Sequence, residues 1–240
     1  QEPFNSVDSW PTLLEKIDEC TKTEANGGKK NEIMVTSWRK FKRCVKKAIQ
    51  SNIFISNLNE ENGEIDLTDE ISNNLTNGQV MVIDIARLDD NAQSFVFGSV
   101  ARAIYDMKLG AERDNITDKV ILFVDELNKY ASNDVPKSSP ILQQLLDIAE
   151  RGRSLGIILF SVEEFRSAIH DRVKGNCATQ AYGRTNAIEV SKSDYRYSPK
   201  VYQNMMTRLS PGEYIISNPA LRSPVNIRFP RPAYKQYPNG

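Results

Sequence analysis

The sequence predicts an α/β fold: a mainly parallel sheet flanked by helices, with a helical section ahead of it. Three observations carry that prediction. Lys119-Val120-Ile121-Leu122-Phe123-Val124 reads as an apolar strand that ends in two carboxylates, Asp125 and Glu126, and a strand apolar on both faces is stable only inside a covered sheet. From residue 79 onward, segments of strand character alternate with segments of helical periodicity, the pattern of parallel strands joined by right-handed crossovers. Before residue 78 helical periodicity dominates. The chain therefore divides into a helical section or insertion with polar loops, 1–78, and an α/β core, 79–240.

In the first section Leu13, Leu14 and Ile17, and then Trp38, Phe41, Val45, Ala48 and Ile49, recur at three- and four-residue steps, the spacing of one helix face. Thr23–Asn31 is polar and contains Gly27-Gly28, and Asn57–Asn77 is rich in Asn, Glu and Gly, so both read as loops or an insertion. The core begins with a strand at Gln79–Asp84, a helix at Ala92–Lys108 and the acidic strand. A helix at Ser139–Arg153 follows, with Ile141, Leu142, Leu145, Leu146 and Ala149 on one face, and then an apolar strand at Gly156–Val162. Thr179–Gly183, Glu213–Ser217 and Pro224–Phe229 read as shorter strands separated by Pro and Gly, fit for a sheet margin or a β-rich tail.

Bulk composition narrows the classes. A chain of 240 residues buries a real core. Lys and Arg total 31, as do Asp and Glu, so overall charge selects no polyanionic partner and only local clusters speak. Cys20, Cys44 and Cys177 are odd in number, far apart and outside any CxxC pair, which fits free thiols in a reducing compartment and a cytoplasmic protein. No apolar run is long enough to cross a bilayer, and Gln1-Glu2-Pro3-Phe4 has neither the basic start nor the apolar stretch of a signal peptide, so no membrane role is expected. The single histidine, His170, excludes a His-rich metal site, and Asp171 and Arg172 beside it suit a solvated helix end rather than a Ser-His-Asp triad.

Chemistry concentrates at Asp125 and Glu126. Acids at the carboxyl end of a buried strand lie in the crevice where open α/β sheets bind ligands. In a nucleotide hydrolase the first acid would hold the Mg²⁺ that bridges the phosphates, and the second would orient or deprotonate the attacking water. A plain helix cap is the alternative, with Asp125 capping a helix that starts at Glu126.

The surroundings make the strand more specific. Val120-Ile-Leu-Phe-Val-Asp-Glu-Leu-Asn-Lys-Tyr130, a helix ending Ala149-Glu-Arg-Gly-Arg-Ser-Leu-Gly156, the strand Ile157-Ile-Leu-Phe-Ser161, and Asn176-Cys-Ala-Thr179 leading to Gly183-Arg184 occur in that order. This succession resembles the latter part of the HerA/FtsK class of RecA-like motor ATPases, HerA most closely, over roughly residues 79–229. The resemblance implies a RecA-like P-loop NTPase core of the ASCE type, ATP and Mg²⁺ as cofactors, and hexameric rings that translocate double-stranded DNA, often with a nuclease partner in end processing. By position, Asp125 matches the Mg²⁺-associated acid and Glu126 the catalytic carboxylate. Arg184 matches the arginine after glycine on a strand facing the neighbouring subunit, Arg153 the basic position before the sensor strand, and Ser161 lies on the sensor strand, where its hydroxyl could bond a phosphate or water. A fixed guanidinium suits charge developing on a transferring phosphoryl group; which arginine reaches across subunits stays open, as does a surface or ion-paired role for either.

Two departures accompany the resemblance. No Gly-x-x-x-x-Gly-Lys-Ser/Thr occurs, and Asn26-Gly27-Gly28-Lys29-Lys30, the nearest imitation, lacks the first glycine, the hydroxyl residue and a preceding apolar strand. Such a loop aims successive N–H groups and a helix N-terminus at the anion. The resemblance therefore implies the C-terminal piece of a longer protein, with the first core strand and phosphate loop absent here. The second departure is the sensor strand, Ser161-Val162-Glu163-Glu164, where the family often has Thr-Gln. A non-catalytic oligomerisation or DNA-binding module that keeps the motor fold, or a related protein-pumping ATPase, remains an alternative.

Arg39, Lys40, Lys42, Arg43, Lys46 and Lys47 flank the apolar series Trp38, Phe41, Val45 and Ala48. On a helix this gives a buried stripe beside concentrated positive charge, with Trp38 and Phe41 as core anchors. Arg39, Lys42, Arg43 and Lys46 are the candidate contacts to a nucleic-acid backbone, and a solvated face is the alternative. Lys22, Lys29 and Lys30 would extend the patch.

Overall fold

The computed structural model describes residues 10–22, 33–48, 53, 59–110 and 119–231. The expected loop Thr23–Asn31, with Lys29 and Lys30, and the expected helical position Ile49 lie outside them. The chain forms two compact units, Gln1–Met107 and Lys108–Gly240.

The first unit is helical. Helices α1 (Trp10–Thr21) and α2 (Val35–Ala48) pack together. Ile17 of α1 is fully buried, and Asp18 forms an ion pair with Lys42 of α2. The hydrogen bond from Lys42 holds the Asp18 carboxyl below its ordinary value. Part of the expected Asn57–Asn77 loop is instead a helix, α3 (Leu67–Asn74). The Asp66 carboxylate starts it by accepting from the N–H groups of Thr68 (2.8 Å) and Asp69 (3.0 Å), two of the donors every helix start leaves over. Asn and Glu richness hid that cap. Helix α4 (Asp90–Gly110) forms where Ala92–Lys108 was expected, and Asp89 serves its first N–H groups in the same way. Ahead of it Gln79–Asp84 forms no strand: Val80 and Val82 are 84 and 85% exposed, and no described segment pairs with this backbone to complete a ladder. Phe41 also departs from expectation. It is 47% exposed rather than a core anchor, and lies edge-on to half-buried Trp38 with ring centroids 6.0 Å apart.

The second unit opens with β1 (Val120–Asp125), a 3₁₀ turn at Leu127–Lys129, α5 (Pro140–Leu155) and β2 (Ile157–Val162). β1 and β2 pair in parallel, in register from Val120↔Ile157 to Asp125↔Val162, as the alternation of strand and helix predicts. Ser139 caps α5, accepting from the Leu142 N–H at 3.4 Å, and Pro140 follows where a missing N–H costs nothing. α5 packs on β2. Leu142, Leu145, Leu146 and Ile148 of α5 are buried, as are Val120, Leu122, Val124 and Ile157 on the strands, and each such side chain contributes about 1.5–3 kcal/mol.

The other face of the pair is bare. Ile121, Phe123, Ile158, Phe160 and Val162 are 43–63% exposed, and the Phe123 and Phe160 rings stack with centroids 4.9 Å apart. A parallel sheet is normally covered on both sides.

The chain continues through a 3₁₀ turn at Arg166–Ala168, α6 (Asp171–Asn176), β3 (Gln180–Tyr182), α7 (Ala187–Val190), α8 (Lys200–Met206), β4 (Glu213–Ser217) and β5 (Val225–Arg228). The last three strands form an antiparallel sheet in the order β3-β4-β5. Met206 and Ile215 anchor its core with Val190, Tyr195 and Leu209. His170 stands at the N-cap of α6, Nδ1 accepting from the Arg172 N–H at 3.2 Å, which matches its reading as a helix-end residue.

Gly152, in the last turns of α5, sits where a Cβ would lie 2.8 Å from the carbonyl oxygen of Ile157. Alanine gains up to about 1 kcal/mol of helix propensity over glycine, but the clash with a backbone oxygen must be relieved by shifting α5 off β2, at about 1–3 kcal/mol. Gly152→Ala is therefore expected to lower stability in urea unfolding by about 1–2 kcal/mol, whereas at an open helix position the same change would raise it.

Candidate functional site

Asp125 ends β1 and Glu126 follows it, both exposed, at the carboxyl end of a parallel strand. Pairing continues one step past the strand: the Glu126 N–H donates to the Val162 carbonyl at 3.0 Å. The chain then turns. Glu126 has φ 54° and ψ 50°, the left-handed region, which costs a non-glycine residue ~1–2 kcal/mol. It is the one non-glycine residue with positive φ among those described. Asp125 thus caps no helix beginning at Glu126; the 3₁₀ turn starts at Leu127, with Glu126 as its cap and no side-chain cap bond.

A third carboxylate completes the corner. Glu163 follows β2 directly and accepts from the Asn128 backbone N–H at 3.2 Å. The Asn128 side-chain amide, in the orientation that satisfies both its ends, donates to Glu163 Oε2 at 2.9 Å and to the Glu126 carbonyl at 3.2 Å. Glu163 Oε1 is buried without a hydrogen-bond partner. Burial pushes this carboxyl up to about 7; the Asn128 and Leu127 N–H groups pull it down, and the charges of Asp125 and Glu126 add to the rise. Sequence reasoning missed this residue, because only the in-register parallel pairing brings the residue after β2 beside the one after β1.

The remaining candidates are dispersed. Ser161 pairs with Val124 and shares its face, towards α5, whereas Asp125 pairs with Val162 on the bare face. One residue of offset puts the hydroxyl and the carboxylate on opposite sides of the sheet. Arg153 is exposed in the last turn of α5, next to the start of β2, and is separated from Asp125 by the length of the strand, roughly 17 Å at about 3.3 Å per residue. Arg184 is exposed just after β3, and Gly183 before it lies where a Cβ would come within 3.3 Å of the Tyr214 ring. β3 is steadied from the side by Arg166, which donates to Gln180 Oε1 at 2.6 Å. In the first unit Arg39, Arg43 and Lys46 are exposed, while Lys42 is committed to Asp18.

Asp125 suits Mg²⁺, which is commonly held by one or two carboxylates together with substrate phosphates rather than by an all-protein cage. No cage of three or more His, Cys, Asp or Glu side chains occurs among the described residues. For a triphosphate the fit is incomplete: the turn after β1 carries a glutamate in the left-handed conformation, not a row of glycine N–H groups. No described helix is long and apolar enough to cross a membrane.

No protein-family model matches the chain, and no curated protein matches it. Among solved structures it is similar to the genome packaging NTPase B204 from Sulfolobus turreted icosahedral virus 2 in complex with AMP, at 14% identity over 69% of this chain and 72% of that one, with a TM-score of 0.48. The same protein in complex with ATP-gammaS gives 13% identity, the same coverage and 0.47. B204 described as the DNA-packaging ATPase from Sulfolobus Turreted Icosahedral Virus gives 13% identity over 77% and 78% of the two chains, with 0.43. Similarity this distant leaves the functional reading to the chain's own residues.

With its folded-state value near 7 against an ordinary 4.5, Glu163 takes up a proton on folding between those limits. Its contribution to stability is therefore greatest below about pH 4.5 and is lost as the pH rises to about 7. Glu163→Gln, which mimics the protonated acid, should gain stability over the wild type from about pH 5 to about pH 8. Melting temperatures of both proteins at the two pH values check this, and a constant gap would refute it.

Proposed function

We propose that this chain is part of an ATP-driven motor of RecA-like P-loop fold that translocates double-stranded DNA, of HerA type, with its first core strand and phosphate loop supplied from outside these residues. One observation supports the reading: β1, which pairs in parallel with β2, ends at Asp125 with Glu126 next, and the carboxyl end of a parallel strand is where a sheet of this kind receives its ligand. Asp125 would hold the Mg²⁺. Glu126 would accept the proton of the attacking water and orient it; its exposed side chain makes no cap bond to the turn that follows. The bound nucleotide supplies the phosphoryl group and its leaving group. The bare face of the β1–β2 pair supports the view that a further layer completes the sheet.

Arg153 and Arg184 act between subunits of a ring, hexameric by family resemblance. Arg153 stands at the far end of the sheet from its own chain's acids, so a neighbour's site is the one it would serve. Arg39, Arg43 and Lys46 offer exposed positive charge to the DNA backbone. A nuclease partner in end processing, or in defence against foreign DNA, and a cytoplasmic location complete the proposal. A scaffold that assembles without turning over nucleotide is the second reading, favoured by the same exposed apolar face.

The 240 residues alone are expected to release no phosphate from Mg-ATP above background, because their sequence contains no Gly-x-x-x-x-Gly-Lys-Ser/Thr loop; turnover that Glu126→Gln abolishes would show a phosphate site within them. In the intact motor, Glu126→Gln should lower kcat by about 10²–10⁴-fold with little change in the KM for ATP. An undiminished kcat would sink the motor reading, and ring assembly without nucleotide affinity would favour the scaffold.

Duplex binding titrated against salt tests the basic helix. Replacing Arg39, Arg43 and Lys46 by Gln should flatten the plot of log affinity against log salt by about 0.9 for each phosphate that is no longer neutralised. Lys42→Gln, whose ammonium belongs to Asp18, should change the slope least.

A further inference from the structure

Glu126 adopts a left-handed backbone conformation that its own side chain disfavours, so something outside the residue must hold it. Three bonds converge on the turn. Its N–H is fixed by Val162 of β2, and its carbonyl accepts from the Lys129 N–H at 3.0 Å and from the Asn128 side chain at 3.2 Å. The Asn128 side chain is in turn fixed by Glu163, which also takes the Asn128 backbone N–H. One carboxylate oxygen thus receives both donors of a single residue and ties the end of β2 to the turn after β1.

We propose that Glu163 is a positioning residue for Glu126: through Asn128 it locks the turn after β1 and sets the direction in which the Glu126 carboxylate meets the attacking water. The inference rests on the motor reading for its chemistry, but the lock itself is independent of nucleotide. A glutamine keeps an oxygen that can accept both Asn128 donors, whereas an alanine leaves the backbone N–H without that acceptor and the side-chain amide with the Glu126 carbonyl alone. The lock therefore needs an acceptor at this position more than it needs a charge.

Amide hydrogen exchange by NMR on the 240-residue chain reads the lock directly. Glu163→Ala should speed exchange at Asn128 by about tenfold or more, and Glu163→Gln should stay near wild type, with both variants keeping the amide protection of α5 and β4 as evidence of folding. Unchanged exchange at Asn128 in the alanine variant, or equal acceleration in both, overturns the proposal. In the intact motor, Glu163→Ala should lower kcat and leave the KM for ATP in place, and Glu163→Gln should restore kcat. Added to Glu126→Gln, Glu163→Ala should cost nothing further, since it acts through the residue already replaced; fully additive losses overturn it. An unaltered kcat in Glu126→Gln alone is the separate result that sinks the motor reading, so the two failures are told apart.

Discussion

Two strands that run parallel and in step, Val120–Asp125 beside Ile157–Val162, set almost every relation at the acidic corner. Because Val162 faces Asp125, its carbonyl is free to take the next N–H, that of Glu126, and the chain is held for one residue beyond the strand. Because Glu163 comes next on β2, a carboxylate arrives beside the turn and finds the Asn128 donors. The same register decides what stays apart. Ser161, one residue earlier, must point to the α5 side. Close approach of α5 to the foot of β2, possible only because Gly152 has no Cβ, keeps the buried face of this pair covered.

Much of the core was legible because its signals are local and repeated. The strand at Val120–Asp125, the α5 face of Leu142, Leu145 and Leu146, and the Gly- and Pro-bounded strands of the tail each carry their own local signal, and β4 spans the predicted Glu213–Ser217, whereas the cover expected on both faces of Val120–Asp125 is present on one face alone among the described residues. The helix α3 was not legible, since an Asp cap in polar sequence looks like loop until its N–H partners are seen. The segment 79–84 failed for the opposite reason: a strand-like composition is no strand without a neighbour to bond.

For the site, Asp125 and Glu126 could be read from sequence because their placement depends only on the strand before them. Glu163 could not, since its role depends on a register between segments 35 residues apart. Lys42 looked like its basic neighbours until its partner on α1 appeared. Charge is visible in a sequence, but the commitments of charge are made in three dimensions.

The stacked Phe123 and Phe160 rings and their apolar neighbours face outward on strands whose edges carry no further partner among the described residues. Open strand edges beside bare hydrophobic surface are a template for foreign strands. The order of assembly then matters as much as its end point: whatever finally closes over this surface must arrive before self-association does, and timing becomes part of how the molecule stays usable.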